Sequence, residues 1–228
     1  EFGMPVISTW TNSWHGLDAF AEPWNLVLGM AVFFLARLLG GMYFINNIDN
    51  DTIVSRCRRQ LVSDTVPFLF FFLAYVIRTL LKDGFAVIPE TQQIVMEPYK
   101  YFNNFVDMPC LLILFLAGVL LVLYGLLKSI LLPAFRKGIW YSGIGTVLTV
   151  LSLLLVAGYN NTAYYPSLAD MQSSLTISNS CSSLFTLKTM AYVSILVPFV
   201  LAYIFYAWRA IDRKSITSDE IKNDDHAY

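Results

Sequence analysis

Four ionisable residues, Arg37, Asp64, Arg78 and Asp107, fall inside or at the edges of long apolar runs. An ionised side chain at membrane depth costs about 3 kcal/mol or more unless it is paired or hydrated, so such residues mark ion or proton paths, or structural pairs. Arg37 is the clearest, lying thirteen residues beyond Trp24 and a little past the centre of the first run. Two readings fit it. It belongs to a proton or ion path, or anchors a buried anionic group; or it forms an intraprotein ion pair or a contact to backbone carbonyls that fixes helix packing. Asp64 sits at the inner mouth of the second run and Arg78 near its outer end, both close enough to the interface to snorkel. Asp107 begins the third run.

Other chemistries find fewer residues. A haem in a helix bundle takes axial His, Met or Cys from a span. His15 precedes the first run and His226 is in the tail, which argues against haem ligation by this chain. Met30, Met42, Met108 and Met190 lie in or beside runs, where methionine is ordinarily apolar filling. Cys57, Cys110 and Cys181 are scattered and form no CxxC pair, so neither a disulfide framework nor a zinc site is indicated. No P-loop, dinucleotide fingerprint, nucleophile elbow or HExxH is present. The residues therefore assign no catalytic, cofactor-binding or metal site to this chain. A quinone would need only an apolar groove with Trp or Tyr at its rim.

The elements that position the four charged residues follow from composition. Of 228 residues, 57% are hydrophobic and 14% charged, with mean hydropathy +0.58. A soluble domain carries about 25% charged and 45–50% apolar residues, and no single soluble core of this length could hide the excess. A spanning helix needs roughly 20 apolar residues, and five stretches qualify, near residues 24–45, 62–81, 108–132, 138–159 and 187–208. The expectation is an all-α polytopic transmembrane bundle of about five helices, a four-helix unit plus one. Residues 1–23 form a segment before it and 209–228 a tail. The net charge of −1 gives no reason to expect nucleic acid.

Orientation follows from Lys and Arg. Alternate connecting regions hold clusters: Arg56, Arg58 and Arg59; then Lys128, Arg136 and Lys137; then Arg209, Arg213, Lys214 and Lys222. The others hold only Lys82, Lys100 and Lys188. That predicts an outside N-terminus and a cytoplasmic C-terminus. Of the two longer outside loops, 82–107 is acidic, and 160–186 is Ser-rich and expected to cover the bundle or meet a partner. Ser215 or Ser218 could cap a short helix in the tail.

The last third, MQSSLTISNSCSSLFTLKTMAYVSILVPFVLAYIFYAWRAI with a tail ending in HAY, resembles subunit II of the cytochrome bd-type quinol oxidases. The resemblance rests on the SSLT run at Ser173–Thr176, the SS-x-x-TL run from Ser182 to Leu187, and the Val197–Pro198 pair in the last helix. PYKYFNNFVDMP (Pro98–Pro109) and GYNNTAYYPS (Gly158–Ser167) extend it upstream. NSWHGLDAFAEPWNLVLGMAVFFLARLLG (Asn12–Gly40) is similar to the version of the family found in Bacteroidetes-like bacteria.

The resemblance implies that a complete subunit has about nine helices with these same two end positions. This chain, beginning at Glu1, is then expected to be a C-terminal portion: one four-helix unit plus a flanking helix. It further implies a complex that oxidises quinol and reduces oxygen to water in the bacterial inner membrane. Haem b and haem d sit in the partner subunit I, and this chain supports assembly and haem binding there. Membrane lipid and a small accessory subunit are the other implied partners. The family's proton- and oxygen-path residues fall mostly in helices without a counterpart here, so none is carried over. The rival reading is a stand-alone transporter or channel using Arg37, Asp64 and Asp107 as a charged path; five spans without an internal repeat weaken it.

Overall fold

The computed structural model describes residues 13–167, 170–211 and 216–217. Its spanning part is all helical, in agreement with the composition. Helix α1 runs Pro23–Asn47, α2 Asp51–Leu81, the short α3 Lys100–Asp107, α4 Pro109–Leu131, α5 Gly138–Gly158 and α6 Leu184–Ile211. All but α3 are long and apolar enough to cross a membrane, which makes this an integral membrane protein.

Local chemistry sets the helix ends. Proline stands first in α1 and α4, where its missing N–H leaves no intrahelical bond unmade. Between α1 and α2 the chain turns in three residues. Asn50 caps α2, its side-chain oxygen accepting from the Thr52 and Ile53 amides at 3.0 and 3.2 Å. So tight a turn forces α1 and α2 into an antiparallel hairpin. The core lies where Leu38, Met42 and Ile45 of α1 meet Leu61 and Phe68 of α2 and Leu126 of α4.

Helices α4 and α5 form a second hairpin, packed through small residues. A Cβ added to Gly145 would sit 2.6 Å from the Gly118 carbonyl oxygen, and one on Gly118 would sit 2.6 Å from Thr149 Oγ1. In lipid, where apolar burial gives helices little reason to associate, such backbone proximity supplies the contact. The buried Ser129 and Ser152 hydroxyls donate to carbonyls of their own helices, Gly125 and Leu148, at 2.7 and 2.8 Å. Arg58 of α2 joins the hairpins, donating to the Ser129 carbonyl at 3.2 Å and to that of Pro133. Arg136 adds a 3.0 Å ion pair to Asp49 in the α1–α2 turn. By contrast, no residue of α6 is buried; its Trp208 ring meets Tyr43 of α1 at 6.5 Å.

The far end of the bundle carries a polar cap that hydropathy alone does not reveal. Strand β1, Gly84–Val87, pairs antiparallel with β2, Ile94–Glu97, in register Gly84 to Glu97. The loop after α5 joins this hairpin: the Val87 amide donates to the Asn161 carbonyl at 2.7 Å, and the Ala163 amide to that of Phe85 at 2.9 Å. Gln172 mimics a further strand by donating to the Ile94 carbonyl and accepting from its amide. The 160–186 segment thus lies across the hairpin. In the tail, Ile216–Thr217 pairs in parallel with Ile48–Asp49; Ser215 and Ser218 lie outside the described residues.

Candidate functional site

The α1–α2 hairpin brings Arg37 and Asp64 together from positions 27 residues apart. Arg37 Nε donates to Asp64 Oδ2 at 2.9 Å. Gln60, one turn before Asp64 on the same helix, donates to Oδ1 at 2.7 Å. The pair is lopsided in its surroundings: the Asp64 side chain is 5% exposed and that of Arg37 is 43% exposed. The guanidinium also lies 5.6 Å from the Phe33 ring centroid, and its two Nη groups meet no acceptor among the described residues. Asp64 is thus neutralised within the chain, while Arg37 keeps donors for an acceptor outside it. The same stretch of α2 holds Pro67, which has no N–H and so releases the Ser63 carbonyl from the helical ladder. Gln60 was not singled out from the sequence, although its four-residue spacing from Asp64 is the one at which helical side chains meet.

Arg78 and Asp107 do not join this pair. Arg78 is exposed near the end of α2, with its guanidinium 5.5 Å from the Trp24 ring. Beside it Lys82 lies 4.7 Å from the Tyr101 ring. Burial pushes the Lys82 ammonium below the usual lysine range, Arg78 adds to the shift, and Glu22 opposes it. Asp107 ends α3, exposed, and accepts from Asn160 Nδ2 at 2.9 Å. Asn160 also donates to Asn104 Oδ1 at 3.0 Å. Asn104, with no exposed surface, donates in turn to the Val156 carbonyl and Thr162 Oγ1 at 2.9 and 2.8 Å. Asp107 therefore belongs to an amide network tying α3 to the end of α5.

Next to that network Lys100, only 6% exposed, pairs with Glu97 at 2.9 Å. Burial alone would raise the Glu97 carboxyl. The Asn103 and Lys100 hydrogen bonds and the Lys100 charge outweigh it, and the carboxyl is held below its ordinary value.

Residues of the types that ligate a haem axially are few and scattered among the described residues. No spanning helix contains a histidine. Met42, the buried methionine of α1, accepts from the Ser142 hydroxyl at 3.4 Å, and Met30 and Met190 are exposed on separate helices. Among the described residues no three His, Cys, Asp or Glu side chains gather as a metal site.

Comparison with known proteins agrees with the resemblance in the sequence. The chain is 30% identical over 156 residues to cytochrome bd-I ubiquinol oxidase subunit 2 of Escherichia coli K12, with the same figures for the O157:H7 protein. The aligned part is 67% of this chain and 39% of the relative, so the chain spans about two fifths of the length of those relatives. A family profile described as cytochrome bd terminal oxidase subunit II matches residues 2–211. With nearly all of its length accounted for in this way, the chain belongs to the cytochrome bd terminal oxidase subunit II family.

Proposed function

We propose that the chain serves as a supporting, non-haem-ligating part of subunit II in a respiratory quinol oxidase. The match of residues 2–211 to the family carries this reading. The relatives are named as ubiquinol oxidase subunits, and the proposed reaction of the whole complex is quinol oxidation coupled to reduction of oxygen to water. Haem b and haem d are assigned to subunit I, in keeping with the poor donor set here, and no electron-transfer step is assigned to this chain. Its contribution is structural. Two closed hairpins form a scaffold, and on α1 the half-exposed Arg37 offers charged donors to a neighbouring helix.

The proposed setting is the bacterial cytoplasmic membrane, with the N-terminus outside and the tail inside. Supporting this, the Arg136–Asp49 pair and the Tyr43–Trp208 contact gather the basic clusters near Arg58, Arg136 and Arg209 at one end of the bundle. Subunit I, surrounding lipid and a small accessory subunit are the proposed partners. A transporter fits less well, because Asp64 is engaged by Arg37 and Gln60 while Asp107 stands apart from them in the amide network of α3, so the three charges form no continuous path.

The test is to purify the assembly in mild detergent, record reduced-minus-oxidised spectra, and repeat with this polypeptide alone. Haem d absorption in the assembly and none in the isolated chain is expected. A chain that purifies alone and carries substrate into liposomes would overturn the proposal.

A further inference from the structure

We propose that a groove at the basic end of the bundle holds an acyl chain of one anionic phospholipid, with the lipid phosphate between Lys137 and Arg209. The groove encloses about 420 Å³ between α5 and the end of α6, with Tyr43 of α1 as its third side, a size typical of ligand clefts. Ile139, Gly143 and Ile144 form the α5 wall, Trp208 lines the α6 side, and the lining is apolar almost throughout.

Gly143 shows that the space is kept open. A glycine inside a helix weakens it relative to alanine. At Gly118 and Gly145 that weakness is offset by backbone contact between helices. A Cβ on Gly143, however, would meet no protein atom within 4 Å. The room it leaves is used by none of the described residues.

Charge then specifies the occupant. Lys137 is the residue before α5, three positions ahead of Trp140, which lines the groove. Arg209 follows Trp208 directly in the last turn of α6. Arg136 is engaged by Asp49, whereas Lys137 and Arg209 form no ion pair among the described residues. Among the described residues no acidic side chain lines the groove. Two cations, each within three residues of a tryptophan that lines an apolar slot, with Tyr43, Trp140 and Trp208 at headgroup level, match a phosphate attached to a fatty chain. A neutral isoprenoid would fill the slot but leave both cations unused. On the orientation proposed above, the lipid comes from the cytoplasmic leaflet; the groove itself does not depend on the oxidase assignment.

The experiment is native mass spectrometry of the full-length protein, with whatever subunits accompany it, in mild detergent containing equal phosphatidylglycerol and phosphatidylcholine. The wild type is expected to retain phosphatidylglycerol about fivefold over phosphatidylcholine. Lys137→Gln with Arg209→Gln should bring the two near parity, and Gly143→Leu should remove one bound lipid per chain. If Gly143→Leu fails to assemble, the double charge variant decides alone. Equal retention of both lipids by the wild type, or a preference that survives the charge variant, overturns the proposal. So does a bound quinone displaced by Gly143→Leu while the phospholipid count stays constant.

Discussion

Arg37 and Asp64 share one 2.9 Å ion pair, yet only the aspartate is enclosed by the bundle. The pair therefore has an inward half that belongs to this chain and an outward half directed at its surroundings. Removing Arg37 leaves a buried carboxylate held by Gln60 alone, and breaking a buried pair from one side costs about 3–5 kcal/mol. Arg37→Leu should insert normally but lower the yield of assembled complex and its melting temperature, and Arg37→Leu with Asp64→Leu should recover much of the loss. Wild-type yield, haem content and oxidase activity in Arg37→Leu would remove Arg37 from the site.

Gly145 and Gly143 are two residues apart on α5 but face opposite demands. At Gly145 any side chain meets the Gly118 carbonyl and the Val122 amide, and Gly145→Leu should destabilise by about 3 kcal/mol or more, since the backbone itself must move. At Gly143 a Cβ meets no protein atom within 4 Å, so Gly143→Leu should cost far less than Gly145→Leu. Indistinguishable thermal unfolding of the two variants in detergent would contradict the close α4–α5 packing.

The Glu97–Lys100 pair predicts an acid limb in the stability of the cap. The unfolded carboxyl titrates near 4.5 and the folded one lower. Its contribution is thus complete above 4.5 and lost as the pH falls through the folded value. Glu97→Gln should flatten that limb and, by stranding the buried Lys100 ammonium, lower stability at neutral pH by about 1–2 kcal/mol. Melting curves of both proteins across the acid range would check this; a parallel acid limb in the variant would count against it.

Asn104 holds three partners at the junction of α3 and α5. Asn104→Leu should cost about 2–3 kcal/mol, because the Val156 carbonyl and the Thr162 hydroxyl lose their partner in a buried site. Hydrogen exchange should show faster exchange at 158–163 while α1 and α2 stay unchanged. Asp107→Asn, at the exposed edge of the same network, should shift stability by less than about 1 kcal/mol.

The spanning helices were legible because each carries its own evidence: a run of apolar residues long enough for the bilayer needs no knowledge of its neighbours. The cap was not. Gln172 pairs with Ile94 from 78 residues away, and no local pattern announces a side chain standing in for a strand. The α3 helix was hidden inside an acidic loop because its eight residues are too few, and too mixed with Lys100, Asn103, Asn104 and Asp107, for hydropathy to register. For Arg37, the charge at depth was plain from the sequence, and an internal ion pair was one of the two readings it allowed. The choice of Asp64 as partner came from the three-residue turn, which sets the register of the hairpin. The half-exposure of Arg37 depends on which helices surround α1, information that lies in tertiary packing alone.

The bareness of α6 has a consequence in time. The α1–α2 and α4–α5 hairpins each hold their own closing contacts and can complete as soon as both arms have left the translocon. Helix α6 emerges to find almost no surface waiting for it among the described residues. Until further helices arrive, a whole apolar helix stays open to lipid and to membrane proteases, so a copy left in that state should be cleared from α6 first while its hairpins outlast it.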